Sequence, residues 1–122
     1  LSMLKGKKLI NLDSEEEDVF TVGCAGGVTL TCDIPVFTED VEGEVYELKV
    51  TGLLGGHSGV EIHKGRGNSN VILGRVLLAI GQKMGLDIIK MEGGSKDNAI
   101  PRHSVAQVLI PAEEGAKFEA LV

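Results

Sequence analysis

Aromatic residues are scarce in this chain. Tryptophan is absent, and Phe and Tyr together make up 3% of the 122 residues. A nucleic-acid surface built on base stacking therefore lacks its platform, and the core is expected to come from Val, Ile, Leu and Ala. Positive charge is also short: 12 Lys and Arg stand against 18 Asp and Glu, leaving a net charge of −6. The densest basic cluster, Lys5, Lys7 and Lys8, does not offset that balance, so the chain repels a phosphate backbone and no nucleic-acid partner is expected. Cysteine is limited to Cys24 and Cys32. Their spacing fits neither a C-x-x-C redox pair nor a zinc knuckle, and both are expected to be reduced. No apolar run reaches the ~18 residues of a membrane-spanning helix. The stretch from Leu1 to Leu12 also lacks the continuous apolar segment of a secretion signal. These absences point to a cytoplasmic protein with no membrane partner.

What is present, 43% hydrophobic and 25% charged residues, suits one globular domain with a core of its own. The chain opens in mid-pattern at Leu1-Ser2-Met3 and closes at Leu121-Val122 inside an amphipathic stretch, without polar fraying at either end. A piece of a longer protein is the expectation.

Gly55-Gly56-His57-Ser58-Gly59 is the most informative stretch. Three glycines let the backbone turn tightly and approach a ligand, while one imidazole is held at the tip. The plainer alternative is a tight turn whose histidine caps a neighbouring carbonyl. A second candidate is Asp13, which follows the short apolar run Lys7–Leu12 and so ends a predicted strand. Carboxyl ends of strands collect ligand-binding groups in open α/β sheets, and carboxylate oxygens suit hard and borderline cations. A solvated acidic turn is the alternative there, since Ser14, Glu15, Glu16, Glu17 and Asp18 follow directly.

The glycine-rich segment Gly23–Gly27 reads as a crossover and a domain boundary. From Val28 the pattern alternates, with Leu30, Cys32, Ile34 and Val36 on one side, and predicts a half-buried strand that Pro35 places at an edge or bulge. Residues 44–53 alternate again with Tyr46, Leu48 and Val50 inward, so the two stretches are expected to form an antiparallel hairpin. Asn68–Asn70 offer N-caps to a helix whose apolar face is Ile72, Val76, Ile80 and Met84 beside Leu73 and Leu77, ended by Gly85. Gly74 and Gly81 each cost ~1 kcal/mol of helix propensity, which suggests close packing on the sheet. Residues 86–91 and 104–110 read as further strands, the latter with Ala106, Val108 and Ile110 inward, and Pro111 opens a second helix. The order β-β-α-β-β-α predicts an α+β two-layer sandwich of ferredoxin-like type, an antiparallel sheet with helices on one face.

Taken together, Leu12-Asp13-Ser14-Glu15, Gly23-Cys24-Ala25-Gly26-Gly27, Gly55-Gly56-His57-Ser58-Gly59 and Gly65-Arg66-Gly67-Asn68 occur in an order that resembles the Xaa-His dipeptidases. These aminoacyl-histidine dipeptidases, also called carnosinase-like, belong with the di-zinc peptidases that include carboxypeptidase G and the aminoacylases. The resemblance implies an internal segment of a larger enzyme. Residues 1–27 would be the end of a catalytic-domain segment and a crossover, and residues 28–122 the first part of a lid and dimerisation domain. It implies two zinc ions in the intact enzyme, with cobalt or manganese as alternatives, and a homodimer formed through the lid. It makes Asp13 a metal ligand, His57 the lid histidine that reaches the scissile carbonyl, and Asn98 and Arg102 holders of the substrate's carboxyl end. The general base and remaining ligands would lie outside this chain, so the piece alone should be inactive on its small-peptide substrate.

Two other readings are weaker. His57, Glu61 and His63 could form a zinc site, but the spacing is not H-E-x-x-H. Gly65-x-Gly67 before a helix lacks the remainder of a phosphate-loop motif. The serious alternative is of another class, a non-catalytic α+β module for self-association, since fold alone does not fix function.

Overall fold

The computed structural model describes residues 5–8, 10, 17–23 and 26–122. These fall into two compact units, Leu1–Phe37 and Thr38–Val122. The described residues of the first unit carry no helix or strand. Half of the predicted strand Lys7–Leu12, and Asp13 itself, fall outside the described residues. Cys32 is an exposed free thiol.

The second unit contains β1 (Glu44–Val50), β2 (Gly56–His57), α1 (Ser69–Gly81), β3 (Asp87–Gly93), β4 (Ala99–Ile100), β5 (Ser104–Ile110) and α2 (Gly115–Glu119). One three-stranded sheet has the order β1-β5-β3, antiparallel throughout, and β2 with β4 forms a separate two-stranded ribbon. The expected α+β class, an antiparallel sheet with helices, is the one observed.

The predicted strand over residues 28–36 does not form; these residues carry no regular secondary structure and are exposed. Their alternation supplies an apolar face, but a strand also needs a neighbour for its backbone N–H and C=O groups. The partner of β1 is instead β5, in the register Glu44↔Ile110 to Val50↔Ser104. The strand β5 is central and alternates strictly, with Ser104, Ala106, Val108 and Ile110 buried.

Leu48 from β1, Leu73, Leu77 and Ile80 from α1, Met84 after it, and Phe118 from α2 close over that inward row. The core is mainly aliphatic, as the composition requires, yet Phe118 belongs to it and its ring lies 4.5 Å from that of Tyr46.

Asn68 caps α1, its side chain accepting from the Val71 N–H at 3.1 Å. The helix ends at Gly81 with Gln82 as C-cap, one turn before the predicted stop at Gly85. There the Ile80 carbonyl accepts from both Lys83 and Met84. The buried stripe is Leu73, Leu77 and Ile80, whereas Val76 is more than one-third exposed. Of the predicted face, Leu73, Leu77, Ile80 and Met84 are buried and Val76 is not, because α1 is apolar on more than one side. Gly74 and Gly81 do not pack on the sheet: a Cβ at either would meet nothing within 4 Å. They border an open groove.

Candidate functional site

The loop from Gly52 to Asn68 folds around His57. Gly55 and Gly56 have φ of +66° and +144°, conformations that side chains with a Cβ avoid. At Gly56 a Cβ would also collide with Arg66 and Glu61. The next residue, His57, is held in β2, paired with Ala99 of β4 while Gly56 pairs with Ile100. The Ser58 N–H donates to the Asn98 carbonyl at 3.0 Å, extending this ribbon. Two-residue strands carry no periodicity, so this pairing was not legible in the sequence. It brings the loop containing Asn98 and Arg102 against the histidine. Asn98 joins through its backbone, and Arg102 lies beside Gly55, close enough that a Cβ there would be 3.3 Å from the Arg102 Cβ.

The imidazole is oriented by its own loop. Nδ1 accepts the N–H groups of Gly59 at 3.0 Å and Val60 at 3.3 Å. Two donors aimed at Nδ1 require its lone pair, so the proton of the neutral ring is on Nε2. His57 is exposed, and Nε2 is the ring nitrogen left to offer an N–H donor. The plainer alternative, a histidine capping a carbonyl, is not observed at Nδ1.

The sequence reading missed the role of Glu61 and Arg66. Glu61 Oε2 accepts the His57 backbone N–H at 2.9 Å, and Oε1 lies 2.9 Å from both Lys64 Nζ and Arg66 Nη2. Arg66 Nη1 donates to the Gly55 carbonyl. The available signal was a carboxylate and a guanidinium inside a glycine-rich loop, at Glu61 and Arg66. Glu61 is thereby committed, and the trio His57, Glu61 and His63 is not assembled. Among the described residues no three His, Cys, Asp or Glu come together as a metal site. Asp13 lies outside the described set.

The Lys64 hydrogen bond, the His57 N–H and the nearby charges of Arg66 and Lys64 pull the Glu61 carboxyl from 4.5 down to about 2. A carboxyl whose folded value is lowered contributes fully above its unfolded value and loses that contribution as pH falls through the folded one. The grip on His57 is thus complete above pH 4.5 and fades toward pH 2. In an NMR titration the His57 amide proton should move with a midpoint near 2. A midpoint near the ordinary carboxylate value would show that Glu61 is not held.

Behind the ribbon, the N-terminus of α1 is tied to the same loop. The Ser69 N–H donates to the Pro101 carbonyl at 3.0 Å, and Ser104 Oγ donates to the Ser69 carbonyl at 3.0 Å. A groove of about 510 Å³ with a mixed lining opens there, bordered by Ser58, Ile62, Arg66, Asn68, Lys96 and Ile100 among others. A second, apolar groove of about 490 Å³ lies between α1 and β3, lined by Gly74, Leu77, Leu78, Gly81, Ile88 and Met91 among others. No helix among the described residues is long and apolar enough to cross a membrane.

Residues 48–122 match the model of the peptidase dimerisation domain. The chain is 40% identical over 121 residues to the cytosol non-specific dipeptidase of Escherichia coli (strain K12), covering 98% of this chain and 25% of that protein. It thus spans about a quarter of the length of that curated relative. The crystal structure of aminoacylhistidine dipeptidase from Vibrio alginolyticus matches with a TM-score of 0.60 and 44% identity over 63% of this chain and 16% of that one. With its histidine-bearing ribbon, antiparallel sheet and flanking helices, this chain belongs to the peptidase dimerisation domain family.

Proposed function

We propose that the chain is the lid and dimerisation part of a longer cytoplasmic dipeptidase that hydrolyses Xaa-His-type peptides, and that His57 is its contribution to the chemistry. The observation that carries this is the state of the exposed His57 ring, with Nδ1 occupied by the Gly59 and Val60 amides and Nε2 left as the nitrogen that carries the proton. When a peptide carbonyl is attacked, negative charge develops on its oxygen, and a preorganised N–H donor stabilises that charge more than it stabilises the substrate. A donor on a separate lid acts once the lid has closed, which also removes water from the reacting groups. Asn98 and Arg102, beside the same ribbon, are suited to the peptide's carboxylate, since a guanidinium binds such a group through two parallel hydrogen bonds. Two zinc ions, when bound in the intact enzyme, supply an activated water, and Asp13 is the proposed ligand from this chain.

The test is an assay of the intact protein and of this chain alone on an Xaa-His dipeptide. The intact protein should turn the dipeptide over and lose that activity on chelation, and the isolated chain should be inactive with added zinc. Asp13→Ala should lower the metal content of the intact protein. Turnover by the chain alone, or full metal occupancy with full activity in Asp13→Ala, would overturn the assignment.

We place the dimer contact on the surface that α1 leaves uncovered. Ile88 and Met91 pair with Val108 and Ala106, so they share the helix-covered face of the sheet. The helix packs over β1 and β5, and Ile88 and Met91 remain 55% and 59% exposed. Beside them, Leu78 is 63% exposed, and Gly74 and Gly81 leave room for close approach. The strand β3 is also an edge of its sheet with an unpaired outer side. A second copy offering the same patch across a two-fold axis would cover this shelf, in keeping with the family's dimerisation domain. Ile88→Asp should convert a dimer into monomers in light scattering at micromolar concentration. An unchanged mass would exclude this face.

A further inference from the structure

His57 is useful as a donor only while its ring keeps one tautomer and one direction, and the contacts within its loop show what maintains both. The two amides that fix Nδ1 belong to Gly59 and Val60, at the start of a turn closed by the Glu61 N–H on the His57 carbonyl at 3.2 Å. The carboxylate of the same residue returns to accept the His57 N–H at 2.9 Å. Both polar groups of the His57 backbone are therefore bound by Glu61, one through its main chain and one through its side chain. The carboxylate is in turn held by Arg66, whose second nitrogen reaches the Gly55 carbonyl. Glu61 and Arg66 side chains are only 25% and 22% exposed, so this pair is less screened than an ordinary surface ion pair. The backbone at Gly56 passes so close to both groups that a Cβ there would displace them.

We propose that Glu61, anchored by Arg66, is a positioning residue for His57: it holds the peptide on which the imidazole is mounted, so that Nδ1 stays against the Gly59 and Val60 amides and Nε2–H points at the substrate. This rests on the reading of His57 as the donor to the developing oxyanion. Without the carboxylate, the His57 N–H, the Arg66 guanidinium and the Gly55 carbonyl each lose a partner or its anchor, and the ring is no longer confined to one direction. A displacement of about 1 Å at a reacting group lowers a rate by roughly 100-fold.

The test is a double-mutant cycle in the intact peptidase, using Glu61→Ala and His57→Ala singly and together, with kcat, KM and bound metal measured for each. Glu61→Ala is expected to lower kcat by about 10- to 100-fold, with KM and metal content unchanged, and to cause no further loss once His57 is absent. Glu61→Gln, which keeps an acceptor for the His57 N–H but loses the ion pair, should fall between wild type and Glu61→Ala. Should Glu61→Ala not fold, Glu61→Gln and Arg66→Lys complete the same cycle. An equal loss in both backgrounds would show that Glu61 acts on the fold and not through His57, and no loss in either would also overturn the positioning role; both results leave the reading of His57 intact. Full kcat in His57→Ala would remove that reading, and this inference with it.

Discussion

His57→Ala in the intact peptidase is expected to lower kcat by about 100- to 1,000-fold, the loss of about 2.7–4 kcal/mol that follows removal of one oxyanion donor. The basis is the geometry of the ring. Its Nδ1 is taken by two backbone amides, which leaves one nitrogen, carrying the proton, to face a substrate. A donor that acts on the developing charge affects kcat more than KM, and a residue that is not a ligand leaves the metal in place. Steady-state kinetics with metal analysis of the purified variant therefore tests both parts. A variant that loses bound metal would make His57 a ligand, and one with undiminished kcat would make it a structural loop residue.

The largest effect on stability is expected from Leu73→Ala. Leu73 is 2% exposed and sits in the cluster formed by the inward rows of β1 and β5 and by Phe118. Truncation removes its buried methyl and methylene groups and leaves a cavity, because a packed interior relaxes only in part. A destabilisation of about 2–5 kcal/mol is expected for such a change, a large fraction of the roughly 5–15 kcal/mol that holds a domain folded. Urea denaturation of both forms gives the difference directly. By contrast, Leu78→Ala on the same helix removes an exposed side chain and should leave the monomer's midpoint nearly unchanged. Equal losses at the two positions would mean that the buried stripe is misassigned.

That contrast also marks where the sequence stopped being sufficient. Spacing alone puts Ile72, Val76, Ile80 and Met84, beside Leu73 and Leu77, on one apolar face of the helix. The buried side is the one carrying Leu73, Leu77 and Ile80. A helix with apolar residues around most of its circumference satisfies the period of 3.6 in more than one rotation, and only the sheet beneath it selects one. The exposed remainder, Leu78 with Gly74 and Gly81, then becomes groove wall and not sheet contact. The strand expected over residues 28–36 failed for a related reason. Alternation describes what one residue does relative to the next, whereas pairing depends on a second segment, and β1 found that segment at β5.

The candidate site divides in the same way. The glycine-framed His57, and the tight turns its glycines allow, follow from local backbone chemistry and are written in the sequence. The helix start at Asn68 and the inward rows of β1 and β5 are local too, because each depends on residues at most a few positions apart. What tertiary structure decided is which distant groups meet: Ala99 and Ile100 beside His57 and Gly56, Phe118 on Tyr46, and Ile88 with Met91 left beyond the edge of α1. Even Glu61, four residues from His57, became visible only once the loop had closed, since a carboxylate in a sequence carries no sign of whether it will meet solvent, a metal or a backbone N–H. Local pattern fixes the preference of each segment; the long-range contacts that choose among compatible arrangements exist only after the chain has folded.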